Sequence, residues 1–280
     1  MLTARNLGGI YVPVVTPFDA HGHLDAQSFE ELVVRLVSKG IRGLVLSEAV
    51  GESEAVEPSE LDAMIAAARG VIGDRDILLI VSTGSDHAAD AFQRTMRARS
   101  AGADAALVQP PHRGRPSEQA LLEHFQAVAR AGLPIILDDA PSRSGRMLHA
   151  KTIQAVMDLE AVIGLKESSG SITRFLTLAR TLTKPMLCGE DKLFFGSLCY
   201  GGKGGILASA NLDTEQFVRV HALYQSGNIE AALRSFEQLQ PLIDFLSSEP
   251  HPAPLKWLLA ERGHIRSDRM RRPLFQKINK

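Results

Sequence analysis

Ala161-Val-Ile-Gly-Leu-Lys-Glu-Ser-Ser-Gly170 is a short apolar run that ends in charge and then in small polar residues. It has the length and branched character of a buried strand, and a helical segment, 173–183, follows it behind a plausible N-cap at Ser171. The same unit recurs along the chain. Further apolar runs occupy 9–18, 43–47, 77–84, 105–111, 134–140, 185–190 and 204–209. Amphipathic stretches at 26–39, 59–72, 87–101 and 117–131 lie between them, with Asp25, Ser59, Asp86 and Ser117 as N-caps and Gly40, Gly102 and Gly132 as stops. Strands alternating with helices imply a parallel sheet covered by helices. Eight units in about 200 residues fit a closed (β/α)8 TIM barrel. An open doubly wound sheet is the competitor, but no G-x-G-x-x-G follows the first strand. Helical patterns at 214–226, 229–247 and 254–262 come after the eighth strand. The expected organisation is a barrel over 1–225 and a C-terminal helical extension over 226–280.

Composition narrows the function. With a net charge of -1 and a pI near 6.8, nothing suggests nucleic acid or an anionic membrane as partner. The cysteines, Cys188 and Cys199, form no ligand pattern and fit reduced thiols. The first residues lack an apolar signal region, and no apolar run reaches the length of a membrane span. A cytoplasmic location is expected. His21 and His23 have no acidic or cysteine companion at ligand spacing, so no metal site is expected. The run Gly201-Gly-Lys-Gly-Gly205 lacks the Ser or Thr that a phosphate loop needs after its lysine, and reads instead as a turn into strand eight.

In a barrel of this kind the site is built at the carboxyl ends of the strands. Lys166 lies at such an end. A lysine there is costly to bury unless it is paired or neutralised, and a desolvated amine is a Schiff-base nucleophile. The same position also suits a lysine whose stem packs while its ammonium reaches a salt bridge. Asp138 and Asp139 end the fifth strand, and alternation sends one inward and the other outward. An inward carboxylate next to Lys166 would hold the amine protonated, yet it would also stabilise a protonated imine and could shuttle protons. A structural ion pair is the other reading. Arg143, in a Pro/Ser/Gly loop, is either a solvated arginine or a bidentate clamp for a substrate carboxylate. Gly51 allows close backbone approach, leaving amides near Ala49 and Val50 as a carboxylate cradle that Glu52 would brace.

Several motifs together resemble the dihydrodipicolinate synthase / N-acetylneuraminate lyase family. They are Val14-Val-Thr-Pro-Phe18, Gly51-Glu-Ser53, Arg115-Pro-Ser117, Ala140-Pro-Ser-Arg-Ser-Gly145, Gly164-Leu-Lys-Glu-Ser168 and Arg272-Pro-Leu274. The resemblance implies a barrel with a helical extension, a homotetramer, and imine chemistry on pyruvate or another 2-oxo acid, with no metal or organic cofactor. Lys166 falls on the family's Schiff-base lysine. Arg143 falls where the synthase branch has its substrate-carboxylate arginine. Three hydroxyl-bearing relay positions differ. Glu48-Ala-Val-Gly-Glu52 stands where the family has Gly-Thr-Thr-Gly-Glu, Pro111-His-Arg113 where it often has Pro-Tyr-Tyr, and Asp138 where a relay tyrosine is usual.

The expected activity is therefore a Schiff-base lyase divergent from ordinary dihydrodipicolinate synthase. Lys166 would be the nucleophile and Asp138 the proton shuttle. Ala49, Val50, Arg143, His112, Arg113, Glu48 and Ile206 would be substrate-binding residues around a charged mouth. The partners are a small 2-oxo acid and an aldehyde. The alternatives are a non-catalytic paralogue that binds a small acid and a true 4-hydroxy-tetrahydrodipicolinate synthase with a rewired relay.

Overall fold

The computed structural model describes residues 2–111, 113, 114 and 116–271. Eight parallel strands close into a barrel in chain order, β1-β2-β3-β4-β5-β6-β7-β8. The strands are β1 (Gly9–Pro13), β2 (Gly43–Leu46), β3 (Leu78–Ser82), β4 (Ala105–Val108), β5 (Ile135–Asp139), β6 (Val162–Glu167), β7 (Met186–Cys188) and β8 (Gly204–Ile206). Each is shorter than its apolar run in the sequence, because the last residues of each run leave the ladder and begin the loop that follows it.

The helices are α1 (Ala26–Val37), α2 (Pro58–Ile72), α3 (Ala88–Ser100), α4 (Glu118–Ala129), the single turn α5 (Pro141–Ser144), α6 (Ala150–Met157), α7 (Ile172–Ala179), α8 (Phe194–Cys199), α9 (Thr214–Gln225), α10 (Ile229–Glu237), α11 (Gln240–Leu246) and α12 (Ala253–Glu261). Asp25, Ser117 and Ser171 cap α1, α4 and α7 as expected, each accepting a hydrogen bond from the backbone N–H three residues on. Two caps differ. Glu57, not Ser59, caps α2, because Pro58 takes the first helical position and Glu60 reaches back to the Glu57 N–H at 3.0 Å. Asp86 does not cap α3; its carboxylate accepts from the Arg113 N–H at 3.1 Å and pairs with the Arg113 guanidinium at 3.2 Å. The single helix expected over 229–247 is two, α10 and α11, because Pro241 cannot continue the hydrogen-bond ladder of the helix before it.

Contacts divide the chain into two compact units. One comprises Met1–Gly9 and Ile80–Ile206, the other Ile10–Leu79 and Leu207–Lys280. In the first, β4, β5 and β6 form a continuous buried ladder, with Phe125 of α4, Phe175 of α7 and Phe194 of α8 fully packed. Gly204 runs against the backbone of Gly9, where an added Cβ would lie 1.9 Å from the Gly9 carbonyl oxygen. Close strand approach therefore explains this end of the glycine run. In the second unit, Tyr11, Phe29, Leu44 and Phe217 make the core. Among the described residues no helix is long and apolar enough to cross a membrane.

Candidate active site

In the first unit β5 and β6 pair in parallel, with Asp138 opposite Lys166 and Asp139 opposite Glu167. Side chains alternate along a strand, so the two pairs emerge on opposite faces. Asp139 and Glu167 face the helices. Arg174 of α7 donates to Asp139 Oδ2 at 2.6 Å and lies 3.6 Å from Glu167 Oε1. Two carboxylates side by side repel, and Arg174 offsets this. Burial, the largest cause, raises both carboxyls above their ordinary values, with Arg174 opposing the rise.

Asp138 and Lys166 take the other face. Lys166 is 3% exposed and Asp138 2%. Nζ lies 3.3 Å from Asp138 Oδ1, an ion-pair contact outside hydrogen-bond geometry. The other oxygen, Oδ2, accepts from Arg143 Nη2 at 2.7 Å. Arg143 is set there by its loop. Pro141 opens the turn α5 and Gly145 closes it at φ 65, a left-handed conformation that glycine adopts freely. One carboxylate thus sits between the amine and a guanidinium that keeps 30% of its side chain exposed.

The segment after β7 completes the cluster. Gly189 lies against the lysine. A Cβ there would be 2.9 Å from Lys166 Cε and 1.9 Å from Ser168 Oγ, so a side chain at 189 would displace the serine hydroxyl and the lysine stem. Glu190 follows, half-buried. Burial is the main cause that pushes its carboxyl up to about 7; Asp191 and Glu167 add to the rise, while Lys166 and Arg143 oppose it. A carboxyl raised this far can act as acid or base at neutral pH. Sequence reasoning did not single out Glu190. Its position two residues past β7, in a barrel whose chemistry gathers at strand ends, was the available signal.

The remaining expected residues are distributed as follows. Ile206 is buried at the end of β8. Arg113 is exposed and paired with Asp86. His112 lies outside the described residues. Glu48, Ala49 and Val50 belong to the second unit, where Ala49–Gly51 is a 3-10 turn. Glu48 is buried, and its carboxylate accepts from the Val50 N–H at 3.2 Å. Gly51 meets the Val14 carbonyl so closely that a Cβ would lie 2.9 Å from it, and Thr16 Oγ1 donates to the Gly51 carbonyl at 2.6 Å. Glu52 braces this turn. It stands at φ 53, fully buried, accepting from Lys256 Nζ at 2.7 Å and from the Arg271 N–H at 2.9 Å.

Titratable side chains gathered at the carboxyl ends of parallel strands place the protein among the (β/α)8 barrel enzymes. The model of the Dihydrodipicolinate synthetase family matches residues 6–280, and the chain belongs to that family of lyases and synthases. It is 31% identical over 269 residues to the 4-hydroxy-tetrahydrodipicolinate synthase of Syntrophobacter fumaroxidans, covering 95% of this chain and 92% of that one. It is 33% identical over 261 residues to the synthase of Coxiella burnetii strain RSA 493, covering 92% and 89%. Among solved structures, the dihydrodipicolinate synthase of Thermotoga maritima superposes with a TM-score of 0.92 at 28% identity, covering 97% of this chain and 93% of that one. The chloride-inhibited synthase of Acinetobacter baumannii, solved with pyruvate, gives 0.92 at 28%, covering 96% and 93%.

Proposed function

We propose that Lys166 forms an imine with the keto carbon of pyruvate or another small 2-oxo acid, and that this imine is the electron sink for making or breaking the adjacent carbon–carbon or carbon–oxygen bond. The observation that carries this reading is the buried Lys166 amine held 3.3 Å from Asp138 at the end of β6. In the first step the amine nitrogen bonds to the keto carbon, and loss of water gives the protonated imine. Asp138 balances that cation. The acidified neighbouring carbon gives up a proton, and Asp138, whose Oδ1 lies 3.3 Å from the lysine nitrogen, is suited to take it and return it. Arg143, anchored on Asp138 and partly exposed, is the proposed contact for a second carboxylate or hydroxyl. The amides of Ala49 and Val50 are the proposed donors to a carboxylate; the Val50 N–H already donates to one, that of Glu48. The resemblance adds a homotetramer, and the location expected from the sequence is the cytoplasm.

Intact mass after borohydride reduction with pyruvate tests the reading. Wild type gains a pyruvate-sized adduct and Lys166→Ala gains none. A wild-type chain that never labels with any 2-oxo acid would refute it and favour simple binding of a small acid.

A second reading, the condensing synthase itself, is favoured by the names of the relatives. The altered relay positions speak for divergence within the family. Pyruvate supplied with aspartate semialdehyde separates the two: rapid condensation supports the synthase with a rewired relay, and labelling without condensation supports a different aldehyde or a dehydration.

A further inference from the structure

One polar group beside Lys166 has no part in the chemistry so far. Ser168 is 5% exposed, and its Oγ has no hydrogen-bond partner among the described residues. A buried hydroxyl left unmatched is costly, and native proteins keep few of them. Its place is specific. It comes two residues after Lys166, the spacing that returns a side chain to the same face of an extended chain, and its own N–H is fixed to the Asp139 carbonyl at 2.9 Å. The point a Gly189 Cβ would occupy lies 1.9 Å from Ser168 Oγ and 2.9 Å from Lys166 Cε. The hydroxyl and the carbon that bears the reactive nitrogen therefore border the same small space, the one that the missing side chain at residue 189 leaves between them, and no hydrogen bond joins the hydroxyl to the amine before substrate arrives.

We infer that Ser168 is a catalytic residue of imine formation, the hydroxyl that passes a proton between the Lys166 nitrogen and the substrate's keto oxygen. The inference rests on the Schiff-base reading of Lys166. When the amine attacks, the C–N bond forms and the carbonyl π pair moves onto oxygen. One proton must then go from nitrogen to that oxygen. Ser168 Oγ takes the nitrogen's proton as it gives its own to the oxygen and ends unchanged, so the step needs no other reactant. A buried hydroxyl without a partner is suited to this, since both its donor and its acceptor capacity await the substrate. The chain lacks the relay hydroxyls its resemblance would supply, and Ser168 places one beside the lysine from within β6's own continuation.

The test is the time course of borohydride-trapped adduct with pyruvate, in light and heavy water, for wild type, Ser168→Ala and Ser168→Thr. Ser168→Ala is expected to label at least about ten-fold more slowly, to lose the wild type's solvent isotope effect, and to melt no lower than wild type, because it removes an unmatched buried group. Ser168→Thr, which keeps the hydroxyl, restores labelling and guards against a folding defect in the alanine variant. Equal labelling rates and isotope effects in wild type and Ser168→Ala would overturn the role of Ser168 while leaving the Lys166 reading intact. Failure of Ser168→Thr to label faster than Ser168→Ala would overturn it as well. Absence of any adduct in wild type overturns the Lys166 reading, and this one with it.

Discussion

Replacing Glu190 by glutamine gives a stability difference whose sign and pH range follow from the site. Burial pushes the folded carboxyl from its ordinary 4.5 up to about 7, with Asp191 and Glu167 adding to the rise and Lys166 and Arg143 opposing it. Below 4.5 both folded and unfolded chains hold the proton, and the group contributes nothing. Between 4.5 and about 7 the unfolded chain releases the proton while the folded one keeps it. The folded state then binds more protons, so stability falls as pH rises and the full cost is in place above 7. Unscreened, this displacement corresponds to about 3 kcal/mol. Glu190 is only half-buried, and solvent screening reduces the figure to about 1–2 kcal/mol. Glu190→Gln cannot ionise. It should match wild type near pH 4.5 and exceed it by that amount near pH 8, about 2–4 °C in Tm. Urea unfolding of both proteins across this range measures it. A difference that stays constant with pH, or a wild type more stable than the variant near pH 8, would refute the reasoning.

Two other substitutions probe the supports of the site. Arg174→Leu leaves the Asp139 and Glu167 carboxylates buried without their cation, an expected loss of about 3–5 kcal/mol. Both carboxyls are already raised by burial, so the loss should grow as pH rises, read by thermal unfolding at several pH values. Lys256→Met strands the buried Glu52 carboxylate and should cost about 3–5 kcal/mol. Adding Glu52→Gln should recover part of that, and a double-mutant cycle with no coupling would contradict the bracing role given to the pair.

Lys166 and Asp138 were legible because strand alternation and the neighbouring places of β5 and β6 depend only on local pattern and chain order. Arg143 was legible as a site residue, but not as a partner of Asp138. That contact depends on how tightly the turn Pro141–Ser144 folds, and proline and glycine mark the turn without giving its reach. Arg113, expected as a substrate-binding residue at the mouth, pairs with Asp86, the residue expected to cap α3. One local reading was lost to a contact between loops that sequence spacing does not encode. Glu190 and Ser168 were less legible, for a different reason. Their chemistry comes from burial and from absent or opposing neighbours, and the glycine at 189 whose missing side chain leaves room for the Ser168 hydroxyl reads in sequence as an ordinary turn residue.

The register of β5 against β6 ties the chemistry to the frame. Because Asp138 faces Lys166 across one rung, the next rung must bring Asp139 to Glu167 on the opposite face. A productive acid–amine pair on one side thus obliges a repulsive acid–acid pair on the other. Arg174 is the chain's answer to that second pair, and it is tied further to the loop before α6 through the Leu148 carbonyl at 2.8 Å. A slip of one residue would reverse every side chain on β6 and turn the lysine toward the helices. The charges behind the ladder therefore hold the register in which the lysine, its carboxylate and the Ser168 hydroxyl share one face, and the outer ion pairs are as much a condition of the chemistry as the inner one.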